Sequence, residues 1–449
     1  MKITLFVLLL TAAVALAGVA TTSEPALSDI HEAQATTLPE ISTSKVKGIA
    51  FNRFFQVWLE NIDYEDSAGD KNQDFFAKQG ILLTNFYAVA HPSEPNYCAA
   101  AGGDTFGMDN DNFHQVPANV STVVDLLEVG DVSWAEYQEH SPYPGYQGFN
   151  YSNQETYKPD YVRKHNPLIL YNSVVQNDTR ARKIKNFTDF EHDLEEKKLP
   201  QWAFITPNMT NDAHDTNIEF GAAWERKWME RLMKDDYFMK DTLVLLTYDE
   251  DKTYNKTNRI YSVLVGGAIP EELRGTKDDT FYTHYSTIAS VSANWALPSL
   301  GRWDCGANIF ELVANMTGYV NYDVDTTNLR LNSTYPGPLS DGSYSSFSAE
   351  WPVPMTSGDC SGGPIKGEIR QAYKDQKPTY NYTYPFPWDA KSKYNLNVTA
   401  SRKVKGHVTN LVSKESDTKD TKKGAAITNV PGTALILPGV LAAAFVYLI

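Results

Sequence analysis

The run Leu243-Val244-Leu245-Leu246 is apolar without a break and closes in Tyr248-Asp249-Glu250-Asp251. A strand with no polar alternation has to be covered on both faces, which excludes a sheet open to water on one side and calls for helices on either side of it. The same reading recurs along the chain. Val46 to Leu59 reads as a strand ending in Glu60-Asn61, and Ile81 to Ala90 as a buried strand before Ser93. Val132–Tyr137, Trp202–Ile205 and Ile260–Val265 read as further strands. Between them lie helical stretches at 70–80, 119–130 and 187–198, and an amphipathic one carrying Ile218, Ala222, Trp228, Met229, Leu232 and Met233. A last helix opens at Thr283-His284-Tyr285-Ser286. This alternation, from Lys45 to about Thr317, predicts an α/β fold with a mostly parallel sheet.

The flanks have other compositions. Residues 1–17 combine Lys2, an apolar stretch and Ala15-Leu16-Ala17, the pattern of a secretory signal peptide. Residues 18–44 lack hydrophobic period and are expected to be a flexible arm. The domain is expected over 45–400, its core at 45–317 and a Tyr-, Ser-, Gly- and Pro-rich part at 318–400. Residues 401–424 read as a stalk, and 425–449 as a lipid-anchor (GPI) signal whose tail is removed, with Gly424 in the small-residue attachment triplet. Ten Asn-x-Ser/Thr sequons, at Asn119, Asn150, Asn177, Asn186, Asn208, Asn255, Asn315, Asn332, Asn381 and Asn397, suit a secreted, anchored glycoprotein of the cell surface or wall. Three cysteines permit one disulfide in an oxidising compartment; Cys305–Cys360 is the expected pair, with Cys98 buried in a helix. A net charge of −15 argues against nucleic acid as a partner.

In parallel α/β sheets ligands gather at the carboxyl ends of strands. Polar groups stand at such ends here: Glu60-Asn61, Ser93 with Asn96, Asp212-Ala213-His214-Asp215, and Asp249-Glu250, with His284 at a helix start. Each has a structural use as well. Ser93 and Asp215 suit helix N-caps, Asp249 to Asp251 a solvated acidic turn, and His284 a cap. Gathered at one sheet edge, the acids would repel one another unless a hard divalent cation joined them through oxygen. Carboxylates stay ionised down to roughly pH 4, so such a site keeps its ion in acid while His214 and His284 are free as imidazolium for phosphate and leaving group.

The segments Glu60-Asn61, Ser93-Glu94-Pro95-Asn96, Asp249-Glu250 and His284-Tyr285-Ser286, in this order between Lys45 and Ala314, resemble the acid phosphatase and phospholipase C group of secreted phosphoesterases, within the alkaline phosphatase-like superfamily. Thr206 to Asp215 is similar to the fungal acid phosphatase branch in particular. The resemblance implies a three-layer α/β/α sandwich and a phosphoserine intermediate on Ser93. It implies one divalent metal ion held by Glu60, Asn61, Ser93, Asp249 and Glu250, with His214 and His284 handling phosphate and leaving group, and Asn96, Asp212 and Asp215 beside the substrate. Asn96-Tyr97 and Ile62-Asp63-Tyr64 depart from the phospholipase branch, which has arginine after both asparagines. The expected function is a secreted acid phosphatase that scavenges phosphate from small organic esters, attached to the membrane through its anchor. A phospholipase C-type diesterase and an inactive wall glycoprotein are the alternatives.

Overall fold

The computed structural model describes residues 20–341, 350–390 and 392–402. Its centre is an eight-stranded sheet: β1 (Arg53–Leu59), β2 (Ile81–Leu83), β3 (Trp134–Gln138), β4 (Ile184–Lys185), β5 (Trp202–Thr206), β6 (Thr242–Tyr248), β7 (Ser262–Val265) and β8 (Thr276–Asp278). The spatial order is β8-β2-β7-β6-β1-β5-β3-β4. Only β7 runs against its neighbours β2 and β6; the other pairs are parallel.

Nine helices carry the argument: α1 (Leu27–Thr36), α2 (Lys71–Gln79), α3 (Ser93–Gly102), α4 (Val123–Val129), α5 (Phe187–Glu195), α6 (Ile218–Leu232), α7 (Asp236–Met239), α8 (Tyr285–Trp295) and α9 (Glu311–Thr317). Successive residues of a strand point to opposite faces, and β1 shows both faces covered. Phe54 meets Phe310 at the start of α9 (6.2 Å between centroids), and Trp58 meets Tyr97 of α3 (5.0 Å). On the other face Phe55 meets Phe238 of α7 (5.5 Å). Tyr248, level with Leu59, accepts a hydrogen bond from Gln73 of α2 (3.2 Å). The molecule is a three-layer α/β/α sandwich, as the unbroken apolar strands require.

Several expected boundaries differ. β1 begins at Arg53, not Val46. The backbone before it is satisfied by side chains: Val46 N–H donates to Gln201 (2.7 Å), and those of Ala50 and Phe51 donate to Asn294 (2.8 and 3.1 Å). The 81–90 strand breaks after Leu83, and Phe86–Tyr87 pairs instead with Tyr282–Thr283 in a separate small sheet. Part of the expected flexible arm is the helix α1, whose Ile30 is buried against Tyr146 and Tyr161. One buried residue anchors it, so no helical stripe announced it. Ala400–Arg402 pairs with Tyr322–Val324, so strand pairing extends past the expected boundary at 400. The expected signal peptide at 1–17, Gly424 and the expected anchor signal lie outside the described residues.

Cys305 and Cys360 form a disulfide, and Cys98 is a buried thiol on α3. Among the sequons, Asn119, Asn177, Asn255, Asn315, Asn381 and Asn397 are exposed, and Asn150, Asn186 and Asn332 half-buried. Asn208 is 6% exposed, and its carboxamide oxygen accepts from Thr210 and Asn211 N–H (3.1 and 2.9 Å). Of the ten sequon asparagines, Asn208 alone is buried.

Burial gives the fold an acid preference. Glu225 of α6 is fully buried and accepts from Gln73 (2.8 Å); burial pushes its carboxyl up to about 8. Burial likewise raises Asp104 to about 7 and Asp278 to about 6. A carboxyl whose folded pKa lies above its unfolded value, roughly 4, contributes most below the unfolded pKa, and the contribution fades as pH rises through the folded one. Thermal stability should therefore fall between about pH 4 and pH 8. Glu225→Gln should melt with the parent at pH 4.5 and recover on the order of 4 kcal/mol at pH 8.5. Parallel melting curves for the two proteins across this range would contradict the assignment.

Candidate active site

β1 and β6 are neighbouring parallel strands with Leu59 level with Tyr248, so the next residues, Glu60 and Asp249, emerge side by side at the carboxyl edge. β5 flanks β1 on its other side, and its following loop brings the Asp212 carbonyl to the Glu60 N–H (2.8 Å). Glu60 thus stands between two further acids because three adjacent parallel strands end together. All three carboxylates are fully buried.

Ser93 is the first residue of α3 and is 1% exposed. Its hydroxyl donates to Glu60 Oε2 (3.1 Å), and Tyr97, one turn on, donates to Glu60 Oε1. Asp249 lies beside Ser93 and Glu60, and accepts from the Asn61 N–H (3.1 Å). Asn61 adopts a left-handed φ of 43°, which folds the chain back over Asp249. Burial is the main cause that raises Glu60 and Asp212 well above the usual carboxylate range, with Asp249 adding repulsion to both; burial raises Asp249 too.

On the far side of Glu60 stands a residue that the strand-end pattern did not single out. His165 Nε2 lies 3.3 Å from Glu60 Oε2, and its Nδ1 3.4 Å from Asp212 Oδ2. Burial, Lys164 and His214 hold this imidazole well below its ordinary pKa, so it stays neutral in acid. Lys164 donates to Asp111 (3.0 Å), whose other oxygen accepts the Glu94 N–H at the start of α3 (2.9 Å). Lys164 Nζ also lies 3.4 Å from His214 Nε2. His214 is held by Asp215 on Nδ1 (2.9 Å), and its backbone N–H donates to Asp212 (2.8 Å). Arg163-Lys164-His165 sits in the irregular 141–180 stretch; three adjacent basic residues in an acidic chain were the available signal.

The family model "Phosphoesterase family" matches residues 71–298. The chain is 68% identical over 404 residues to an acid phosphatase of Aspergillus fumigatus, covering 90% of each. It is 56% identical over 393 residues to a phosphate-repressible acid phosphatase of Penicillium chrysogenum, covering 87% of this chain and 94% of that one. The chain belongs to the phosphoesterase family. It is a hydrolase of phosphoric esters. A phosphatidylinositol-3-phosphatase of Mycobacterium tuberculosis is a more distant relative, 27% identical over 251 residues, 54% of this chain and 76% of that one.

Five expected site residues take other positions in this phosphoesterase. His284 is fully buried, stacks on Trp58 (4.2 Å) and donates from Nε2 to the Asp249 carbonyl (2.6 Å). Burial lowers it to about 3, so it is a neutral prop beneath Asp249 and not an imidazolium for phosphate. Asn96 turns inward: its oxygen accepts from Val89 and Ala90 N–H (2.9 and 3.1 Å) and its nitrogen donates to the Ala90 carbonyl (2.9 Å). It shapes the loop before Ser93 and has no group left for substrate. Asp212 faces His165, and Asp215 orients His214. Glu250 lies against His91 (Oε2 to Nδ1, 2.8 Å), which takes up that carboxylate oxygen. Burial favours neutral His91, but the facing carboxylates of Asp251 and Glu250 outweigh it and raise it to about 9.

The residues present fit a cation. The Asn61 carboxamide oxygen faces only acceptors, oxygens of Glu60 and Asp249 at 3.1–3.2 Å. Either the amide turns to donate, or a positive charge lies between. His165 Nε2 and Asp212 Oδ2 are buried without hydrogen-bond partners. Ligand atoms of Glu60, His165 and Asp212 lie within 4.8 Å of one another, a second grouping suited to a metal that also uses Glu60.

Proposed function

We propose that this phosphoesterase is a secreted acid phosphatase that hydrolyses phosphate monoesters through a phosphoserine on Ser93, and that it serves phosphate scavenging from a lipid-anchored position at the cell surface. The observation that carries the reading is the hydrogen bond from the Ser93 hydroxyl to Glu60 within the Glu60–Asn61–Asp249 group. The relatives' names support acid operation, and the word phosphate-repressible supports scavenging.

Glu60, Asn61, Ser93 and Asp249 would hold a divalent cation, with Glu60, His165 and Asp212 as the neighbouring set. A cation there supplies positive potential for the transferring phosphoryl group and favours the ionised serine. The chain's own groups do the rest. Ser93 Oγ attacks phosphorus as its proton leaves toward Glu60; the Ser93 O–P bond forms and the ester P–O bond breaks. The departing alkoxide takes a proton from His214, held in place by Asp215. Lys164 adds a fixed positive charge beside the phosphate oxygens. Water then attacks phosphorus and gives its proton to His214; the Ser93 O–P bond breaks, and Ser93 takes back the proton held on Glu60.

Purified protein should release p-nitrophenol from the monoester at least about a hundredfold faster than from bis(p-nitrophenyl) phosphate, with an optimum below pH 7 and loss of turnover on chelation. An optimum above pH 8, or preference for the diester, would overturn the reading.

A further inference from the structure

A cavity of about 720 Å³ opens between residues 254–257, 327–334 and 392–397. Among the described residues no aspartate or glutamate lines it, in a chain whose net charge is −15. Three cations do: Lys256, Arg330 and Lys393. Lys256 is offset by Asp63 and Glu65, both at 2.9 Å. Arg330 and Lys393 are exposed and make no ion pair among the described residues. Their segments are clamped together by Asn395, whose carboxamide accepts from Arg330 N–H (2.9 Å) and donates to the Arg330 carbonyl (3.0 Å). The two charges therefore stand on one framed wall.

That wall is tied to the nucleophile loop. The buried Asn258 carboxamide donates to the Ala90 carbonyl (2.9 Å), three residues before Ser93, and to the Leu331 carbonyl (2.8 Å), beside Arg330. Tyr254, on the cavity wall, stacks on His91 (4.1 Å), two residues before Ser93. We propose that this cavity is a second anion subsite, which holds outlying phosphates of a multiply phosphorylated substrate while one ester phosphate sits at Ser93. The proposal rests on the phosphomonoesterase reading above and adds a substrate class to it. Charge contacts at an exposed site are individually weak, so the subsite favours ligands that bring several anionic groups at once. Asn255, Asn332 and Asn397 border the same cavity, so the test is run on native and on endoglycosidase-treated protein.

The experiment compares inositol hexakisphosphate with inositol monophosphate, which differ only in the number of phosphates. Arg330→Gln with Lys393→Gln should lower the ratio of kcat/KM for the hexakisphosphate to that for the monophosphate by about tenfold. Lys227→Glu on α6 changes the net charge by the same two units elsewhere and should leave that ratio within about twofold. An unchanged ratio in the double variant, or an equal fall in the Lys227 control, overturns the proposal. Calorimetry on Ser93→Ala, with and without the two glutamines, reads hexakisphosphate binding without turnover. Binding that the glutamines weaken supports the subsite even if the monoesterase reading fails; binding that they leave unaltered refutes it.

Discussion

Ser93→Ala will retain the fold and lose turnover by about four orders of magnitude or more, as expected when the group that forms the covalent intermediate is removed. The hydroxyl donates to Glu60, and Tyr97 still holds the other oxygen of that carboxylate once the serine is gone. Melting should therefore shift by no more than about 1 kcal/mol. The combination separates a nucleophile from a helix-start residue: a structural serine would cost stability and spare rate. Phosphate release by the folded variant at the parental rate would remove Ser93 from the chemistry altogether.

Asp249→Asn should act in opposite directions on metal-free and metal-loaded protein. Without a cation, Glu60, Asp212 and Asp249 are buried together and each is driven toward its neutral form. Removing one charge relieves that repulsion while keeping an oxygen to accept the Asn61 N–H. The chelated variant should melt higher than chelated parent. Added divalent cation should raise the parent's melting temperature as binding to the folded state demands, and leave the variant nearly unmoved. Turnover should fall by roughly three orders of magnitude. Equal stabilisation of both proteins by the cation would mean that Asp249 is not a ligand.

The sandwich was legible in the sequence because its strands are apolar on both faces; that property survives any error in their ends. Glu60 and Asp249 were legible because they follow the last apolar residue of adjacent parallel strands. The rule marks where groups stand and says nothing about which way they turn. Asn96, Asp215 and His284 occur where such residues were sought, yet Asn96 is used up by backbone, Asp215 by His214, and His284 lies under Asp249 against Trp58. Lys164 and His165 were missed for the opposite reason. They reach the site from a long irregular segment whose path depends on tertiary contacts, and no periodicity encodes that path. The helix α1 escaped because a single residue, Ile30, fixes it.

Acid quenching during turnover of a phosphorus-labelled monoester, followed by peptide mapping, tests the account most directly. The account requires acid-stable label on the peptide that contains Ser93, accumulating in the burst and lost again as unquenched enzyme completes turnover. Label that survives an alkaline quench but not an acid one, as on His165 or His214, or full turnover with no covalent label at all, would contradict it.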